Sequence, residues 1–164
     1  MLTQELGRFN GLIKAIKSSL RELKKAIKGE ALLSSDLEET LKLLTINAIP
    51  QQWLKHSFVS MKPLGSYVKD VINRLEFFQN WLDNSIPDYF WINKFFFVHG
   101  FLTGARQNYA RKYTIPIDTM DIEFKILRDQ STENITPPED GIFCCGMYME
   151  GFRWDHELFQ LAES

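Results

Sequence analysis

The chain of 164 residues lacks most of the features that would announce a chemistry. No apolar run reaches the ~20 residues that a membrane-spanning helix requires; the richest stretch, Phe95-Phe96-Phe97-Val98, is stopped by His99. The N-terminus reads as a charged helix from its first turn and not as a secretory leader, so no membrane partner is expected. Cysteine is scarce. The two residues, Cys144 and Cys145, are neighbours that cannot build a disulfide framework, which suits a reducing compartment. Phosphate-cradling signals are missing: there is no G-x-x-x-x-G-K-[ST], and no G-x-G-x-x-G follows a strand. An excess of basic charge is missing as well. Nineteen Lys and Arg stand against twenty-one Asp and Glu, a formal charge of −2 that speaks against a nucleic-acid partner held by phosphate neutralisation.

What is present suits a packed polypeptide. Hydrophobic residues make up 45% and charged ones 24%, enough apolar side chains for a sizeable core. Thirteen Phe, four Trp and five Tyr are a heavy aromatic load. They crowd between Phe77 and Phe101, where Phe78, Trp81, Phe90, Trp91, Phe95 and Phe96 also fall. Aromatic rings bury large areas, so this stretch is predicted to centre the core.

The clearest pattern is N-terminal. Leu2, Leu6, Phe9, Ile13, Ile16, Leu20, Leu23 and Ile27 alternate in steps of four and three, an a/d seam that predicts a helix over residues 2–28, about 40 Å long. Lys24, Lys25 and Lys28 in its last turn suit the helix dipole, and Gly29 marks its stop. The seam needs a partner: another part of this polypeptide, another part of a larger one, or a second copy. Ser35-Asp36-Leu37-Glu38 reads as a capping box that opens a second helix with Leu37, Leu41, Leu44 and Ala48 inward, ended by Pro50. A connector anchored by Trp53, Leu54 and Phe58 precedes a third helix over residues 64–82, with Tyr67, Val71, Leu75, Phe78 and Leu82 on one face. Residues 88–97 show no clean period. A fourth helix is predicted over 98–113, with Leu102, Ala105 and Tyr109 inward and Arg106, Arg111 and Lys112 outward.

Beyond Ile115-Pro116 the period shortens to two. Ile122, Phe124 and Ile126 predict a strand, and residues 142–149 a second one, with Cys144 and Cys145 on opposite faces. Residues 151–164 carry no firm signal. The expected class is α+β: a mainly α-helical part of about four helices over 1–120, then a β-hairpin over 121–164 that starts a small, truncated β-barrel.

Candidate chemistry is thin. His56, His99 and His156 are far apart, and two adjacent strand thiols cannot readily serve one ion, so no metal site is expected. A Cys–His hydrolase would need Cys145 beside His99 or His156, which spacing does not supply. Arg106, Arg111 and Lys112 beside Tyr109 and Tyr113 read as a solvated helix face. No catalytic residue and no cofactor-binding residue is expected.

Longer strings then carry a resemblance. Arg8-Phe9-Asn10 and Ala26-Ile27-Lys28-Gly29 are followed by Met61-Lys62-Pro63-Leu64-Gly65-Ser66-Tyr67, then Phe101-Leu102-Thr103-Gly104 and Gln107-Asn108-Tyr109-Ala110-Arg111-Lys112-Tyr113. Ile115-Pro116-Ile117-Asp118, Pro138-Glu139-Asp140-Gly141, Glu150-Gly151 and Arg153-Trp154-Asp155 complete the series. In this order it resembles the C-terminal region of dynein heavy chains of the axonemal, ciliary branch. Residues 57–61 depart from it, reading Ser-Phe-Val-Ser-Met where the family has a Tyr-Pro-Ser-Leu pattern. The resemblance implies a non-catalytic structural and regulatory segment that follows the AAA+ ring of a minus-end-directed microtubule motor and braces it. ATP and Mg would be handled by the ring, not here. It implies as partners the ring of the same heavy chain and, through the parent, dynein complex subunits and microtubules, in the cytoplasmic cytoskeleton of the ciliary or flagellar axoneme. With the seam, it makes Leu6, Phe9, Ile13, Ile16, Leu20, Leu23 and Ile27 the expected ring-docking residues. The alternative is an autonomous helical adaptor that dimerises through the same seam.

Overall fold

The computed structural model describes residues 2–123 and 138–146, together with the backbone of two strands at 152–155 and 160–163. The fold is α+β and mostly helical, and the protein divides into two compact units, Met1–Ser85 and Ile86–Ser164.

The first unit is built from α1 (Leu2–Ile27), α2 (Ser35–Thr45), the single turn α3 (Gln51–Leu54) and α4 (Leu64–Asp83). α1 stops as its sequence predicts. Gly29 takes φ +75°, its N–H bonds the Ala26 carbonyl at 3.0 Å, and the Glu30 N–H reaches back to Lys25 at 3.0 Å. These are the two bonds of a Schellman end. The start of α2 differs from expectation by one residue. Ser34, not Ser35, is the cap: its backbone is extended and its Oγ accepts from the Leu37 N–H at 3.4 Å. Of two adjacent serines, only the one still outside the helix can turn its hydroxyl onto the exposed N–H groups. α3 falls in the predicted connector, and Pro50, its N-cap, has a fixed φ that favours a helix entry.

α1 packs on α2 and α3, and its Phe9 ring lies 5.3 Å from that of Phe78 on α4. Leu37, Ile49, Trp53, Phe58, Tyr67 and Val71 complete this core. On α4 the buried face differs from the predicted one. Arg74 is buried where Leu75 was expected, and Leu82 is 51% exposed.

The second unit carries β1 (Tyr89–Trp91), a 3-10 turn (Ile92–Lys94), α5 (Val98–Tyr113), a second 3-10 turn (Ile117–Thr119) and β2 (Phe143–Cys145). β3 (Phe152–Asp155) and β4 (Gln160–Glu163) pair antiparallel, Phe152 opposite Glu163 and Asp155 opposite Gln160. The predicted aromatic centre is shared out between the units. Phe77, Phe78 and Trp81 cluster on α4, whereas Phe90 and Phe95 meet Phe101 as tilted rings with centroids 4.8 and 4.5 Å away.

The strand pairing adds a partner that strand periodicity did not indicate. Residues 143–145 run parallel to β1, in register Tyr89–Phe143, Phe90–Cys144 and Trp91–Cys145, and the helix α5 lies between the two strands in sequence. Parallel neighbours need such a crossover, while a hairpin does not. Gly146 ends β2 at φ +71°, where a Cβ would come within 3.1 Å of the Trp91 ring. Of the predicted strand at 122–126, Ile122 and Glu123 are not in a strand and the rest lies outside the described residues, as do residues 147–149. The described strands form two separate two-stranded sheets, without a closed barrel among them.

Candidate functional site: an apolar row along the first helix

The heptad seam of α1 has two rows, and the fold treats them differently. Phe9 and Leu23 are buried at 1% and 5% exposure, with Ile16 half-buried beside them. The second predicted row is Leu6, Ile13, Leu20 and Ile27. Leu6 and Ile13 are only half-buried, and Leu20 and Ile27 are 41% and 67% exposed. Its place inside is taken by Glu5, Leu12, Ser19 and, in part, Ala26. The buried face is therefore turned by roughly 50° from the seam axis, half of the ~100° between successive helix residues.

The cause lies in groups far off in sequence. Trp53 is almost fully buried, and a buried indole N–H needs an acceptor. It donates to Ser19 Oγ at 2.8 Å, and that hydroxyl donates in turn to the Ile16 carbonyl at 3.0 Å. Glu5, also buried, adds electrostatic support to the Arg74 guanidinium. Two polar anchors thus draw the 5/12/19 row inward. Sequence reasoning passed over both because a Ser and a Glu in a helix ordinarily read as outward. The one available signal was Leu12, an apolar residue beside the seam.

Arg74 organises the wall opposite. Its Nε and one NH2 group each lie 3.2 Å from Asp70 Oδ2, and its guanidinium sits 3.6 Å from the centre of the Phe58 ring. Burial lowers its pKa, and the charge of Asp70 opposes that. Lys62 reaches Asp70 at 3.3 Å, and Ser57 Oγ and the Tyr67 hydroxyl lie 2.7 Å apart. Burial raises the Tyr67 phenol although this hydrogen bond works against it. The arrangement braces the segment between α3 and α4. It offers no substrate cleft.

In the second unit Arg106 points inward, contrary to expectation, and donates to the carbonyls of Ile117 and Met120, tying down the segment that leaves α5. Lys112 Nζ and the Tyr113 hydroxyl both engage Asp140, at 2.8 and 2.7 Å, which holds the Asp140 carboxyl below its ordinary range. His56 and His99 are exposed, and His156 lies outside the described residues. Among the described residues no three His, Cys, Asp or Glu side chains gather to hold a metal.

The thiols are half-buried on β2. Burial, with Cys145 alongside, pushes Cys144 up to about 11, and burial raises Cys145 too. Since the thiolate is the reactive form, iodoacetamide at pH 7.5 should modify Cys144 about 100-fold more slowly than an exposed thiol. The rate should climb about tenfold per pH unit towards pH 11. A raised pKa stabilises the fold while the thiol stays neutral, so that contribution fades as pH rises from the ordinary thiol range through about 11. Fast modification at neutral pH, measured by mass spectrometry, would contradict this and indicate a reactive pair.

A profile of the family described as the C-terminal domain of the dynein heavy chain matches residues 1–164. The protein is 48% identical to mouse dynein axonemal heavy chain 12 over 163 residues, which are 99% of this chain and 5% of that one. It is 49% identical to mouse dynein axonemal heavy chain 3 over 165 residues, 100% of this chain and 4% of that one. It is 44% identical to human dynein axonemal heavy chain 1 over 164 residues, again 100% and 4%. The chain spans only 4–5% of the length of these curated relatives.

Proposed function

This chain belongs to the family of dynein heavy-chain domains from the C-terminal end, and from that membership we propose that it is a non-catalytic brace on the AAA+ ring of an axonemal dynein heavy chain. The cytoskeleton of the ciliary or flagellar axoneme is its place, as the relatives' names indicate. In this reading the parent is an ATP-driven, minus-end-directed microtubule motor. The ring handles ATP and Mg, and the present segment touches neither. Its partners are the ring of the same heavy chain and, through the parent, dynein complex subunits and microtubules.

The observation that carries the reading is the exposed half of the α1 seam. A helix with two apolar rows has one of them, Leu6, Ile13, Leu20 and Ile27, incompletely covered by its own unit. Apolar side chains aligned over nearly six turns, from Leu6 to Ile27, are the ordinary mark of a surface that another element covers. A brace acts on the motor by docking better in one ring state than in another, which shifts the balance between them.

The test is Leu20→Asp in the intact heavy chain, beside Gln4→Asp, an exposed position of α1 outside the apolar row, as an outward control. Leu20→Asp would place a carboxylate in the docked contact, where burial without a partner is unfavourable. ATP turnover and microtubule gliding speed should change by at least severalfold with Leu20→Asp and little with Gln4→Asp. Wild-type values for both, in a motor shown to be folded, would end the bracing role.

A further inference from the structure

The uncovered row of α1 has a strongly cationic flank. Lys17 and Lys24 lie one turn on from Ile13 and Leu20, and Lys14, Arg21 and Lys28 form the next row around the helix, in heptad spacing. All five are exposed, and Lys25 extends the patch. The charge is segregated. Residues 2–28 hold seven Lys and Arg and two Glu, while the remaining sequence holds twelve against nineteen acidic residues. Neither Glu balances the flank. Glu5 is buried inside the unit, and Glu22, about 100° around the helix from Arg21, accepts a hydrogen bond from Ser18 at 3.1 Å and pairs with none of the flank.

A solvated face with compensating pairs does not describe this. Among the described residues Lys28 meets Glu30 at 4.0 Å, but Lys14, Lys17, Arg21, Lys24 and Lys25 have no ion-pair partner. Lys24 and Lys25 are favoured by the helix C-terminus. Lys14, Lys17 and Arg21 stand too far from it to gain. They repel one another at i,i+3 and i,i+4, which weakens an isolated helix. A shallow depression lined by Asn10, Ile13, Lys14, Lys17, Ser18 and Arg21 joins this flank to the apolar row.

We propose that the Lys14, Lys17, Arg21 and Lys24 flank of α1 docks onto an acidic protein surface of the same heavy chain, outside these 164 residues. This rests on the bracing function above and adds to it the chemistry of the receiving surface: carboxylates set beside an apolar strip that takes Leu20 and Ile27. Two observations select that occupant. Among the described residues the flank at Lys14, Lys17, Arg21 and Lys24 has no counter-charge, and this chain makes up only 4–5% of the length of its relatives, so that nearly all of such a polypeptide is available to supply the surface.

The experiment uses the intact heavy chain. A zero-length carbodiimide joins lysines to carboxylates only where they touch, and hydroxyl-radical footprinting reports cover over the apolar row. Expected are intramolecular links from Lys14, Lys17 or Lys24 to Asp or Glu outside the segment, with Leu20 and Ile27 oxidised at least threefold more slowly than in the isolated 164 residues. Lys14→Glu with Lys17→Glu and Arg21→Glu should abolish the links and most of the protection. The same three positions changed to Gln should give an intermediate loss, steeper between 50 and 300 mM salt for the unaltered protein, as screening requires. A protected row with no links, unmoved by charge reversal, would overturn the acidic surface and leave the brace standing. An unprotected row would overturn both. Links found only between two copies would overturn it in favour of self-association. Charge-dependent binding to vesicles of phosphatidylcholine and phosphatidylserine, with no intrachain link, would overturn it in favour of a lipid surface.

Discussion

Leu12→Asp is expected to abolish most of the helical signal of the first unit, whereas Leu20→Asp in the same 164 residues is expected to leave it nearly intact. Leu12 is 0% exposed and Leu20 is 41% exposed, although both are leucines two turns apart on one helix. Removing a fully buried leucine loses about 2–5 kcal/mol, and placing a carboxylate in the gap adds several more unless it protonates. A domain holds only ~5–15 kcal/mol in total. At Leu20 the half-exposed site lets an aspartate reach water, and the change should stay near ~1 kcal/mol. Urea unfolding followed by circular dichroism measures both. If Leu12→Asp kept the wild-type midpoint, α1 would be packing through its 6/13/20/27 row, and the turned face described above would be wrong. The contrast also serves the motor experiment, because a Leu20 variant that folds normally alone isolates the docked contact.

The second large effect is expected at Arg74. Arg74→Ala removes the cation that Asp70 meets at 3.2 Å and the plate on which Phe58 rests. Breaking one side of a buried ion pair destabilises by about 3–5 kcal/mol. Asp70 keeps 17% of its side chain exposed and retains Lys62 at 3.3 Å, so the loss falls at or below the lower end of that range. Loss of the stacking on Phe58 adds about 1 kcal/mol. Changing both partners, Asp70→Asn with Arg74→Met, should recover part of the stability, since no carboxylate is then left with only the exposed Lys62 as its cation. A loss below about 1 kcal/mol for Arg74→Ala would mean the pair is solvated and the segment between α3 and α4 is held by Phe58 burial alone.

Local signals were legible without any fold. The four-three spacing of apolar residues set α1 as a helix, and Gly29 ended it, because both depend only on residues within a few positions of each other. Pro50 and Pro116 marked two other breaks for the same reason. The ordered strings from Arg8-Phe9-Asn10 to Arg153-Trp154-Asp155 carried the family, since a series of short motifs in order needs no geometry to be read.

What residue order could not carry were choices between nearly equal partners. Leu12 and Ile13 are both apolar, and either row could have faced inward. The balance was tipped by Trp53, 34 positions from Ser19, whose indole had to find a buried acceptor. Arg74 went inside because Asp70, Glu5 and the Phe58 ring together could receive its charge. Residues 143–145 chose β1 across the α5 crossover, a long-range parallel pairing that strand periodicity does not encode. Periodicity therefore determined which residues form helices and that α1 has two apolar rows. Only the tertiary structure decided which row to bury, because that choice depended on satisfying polar groups brought together by the fold.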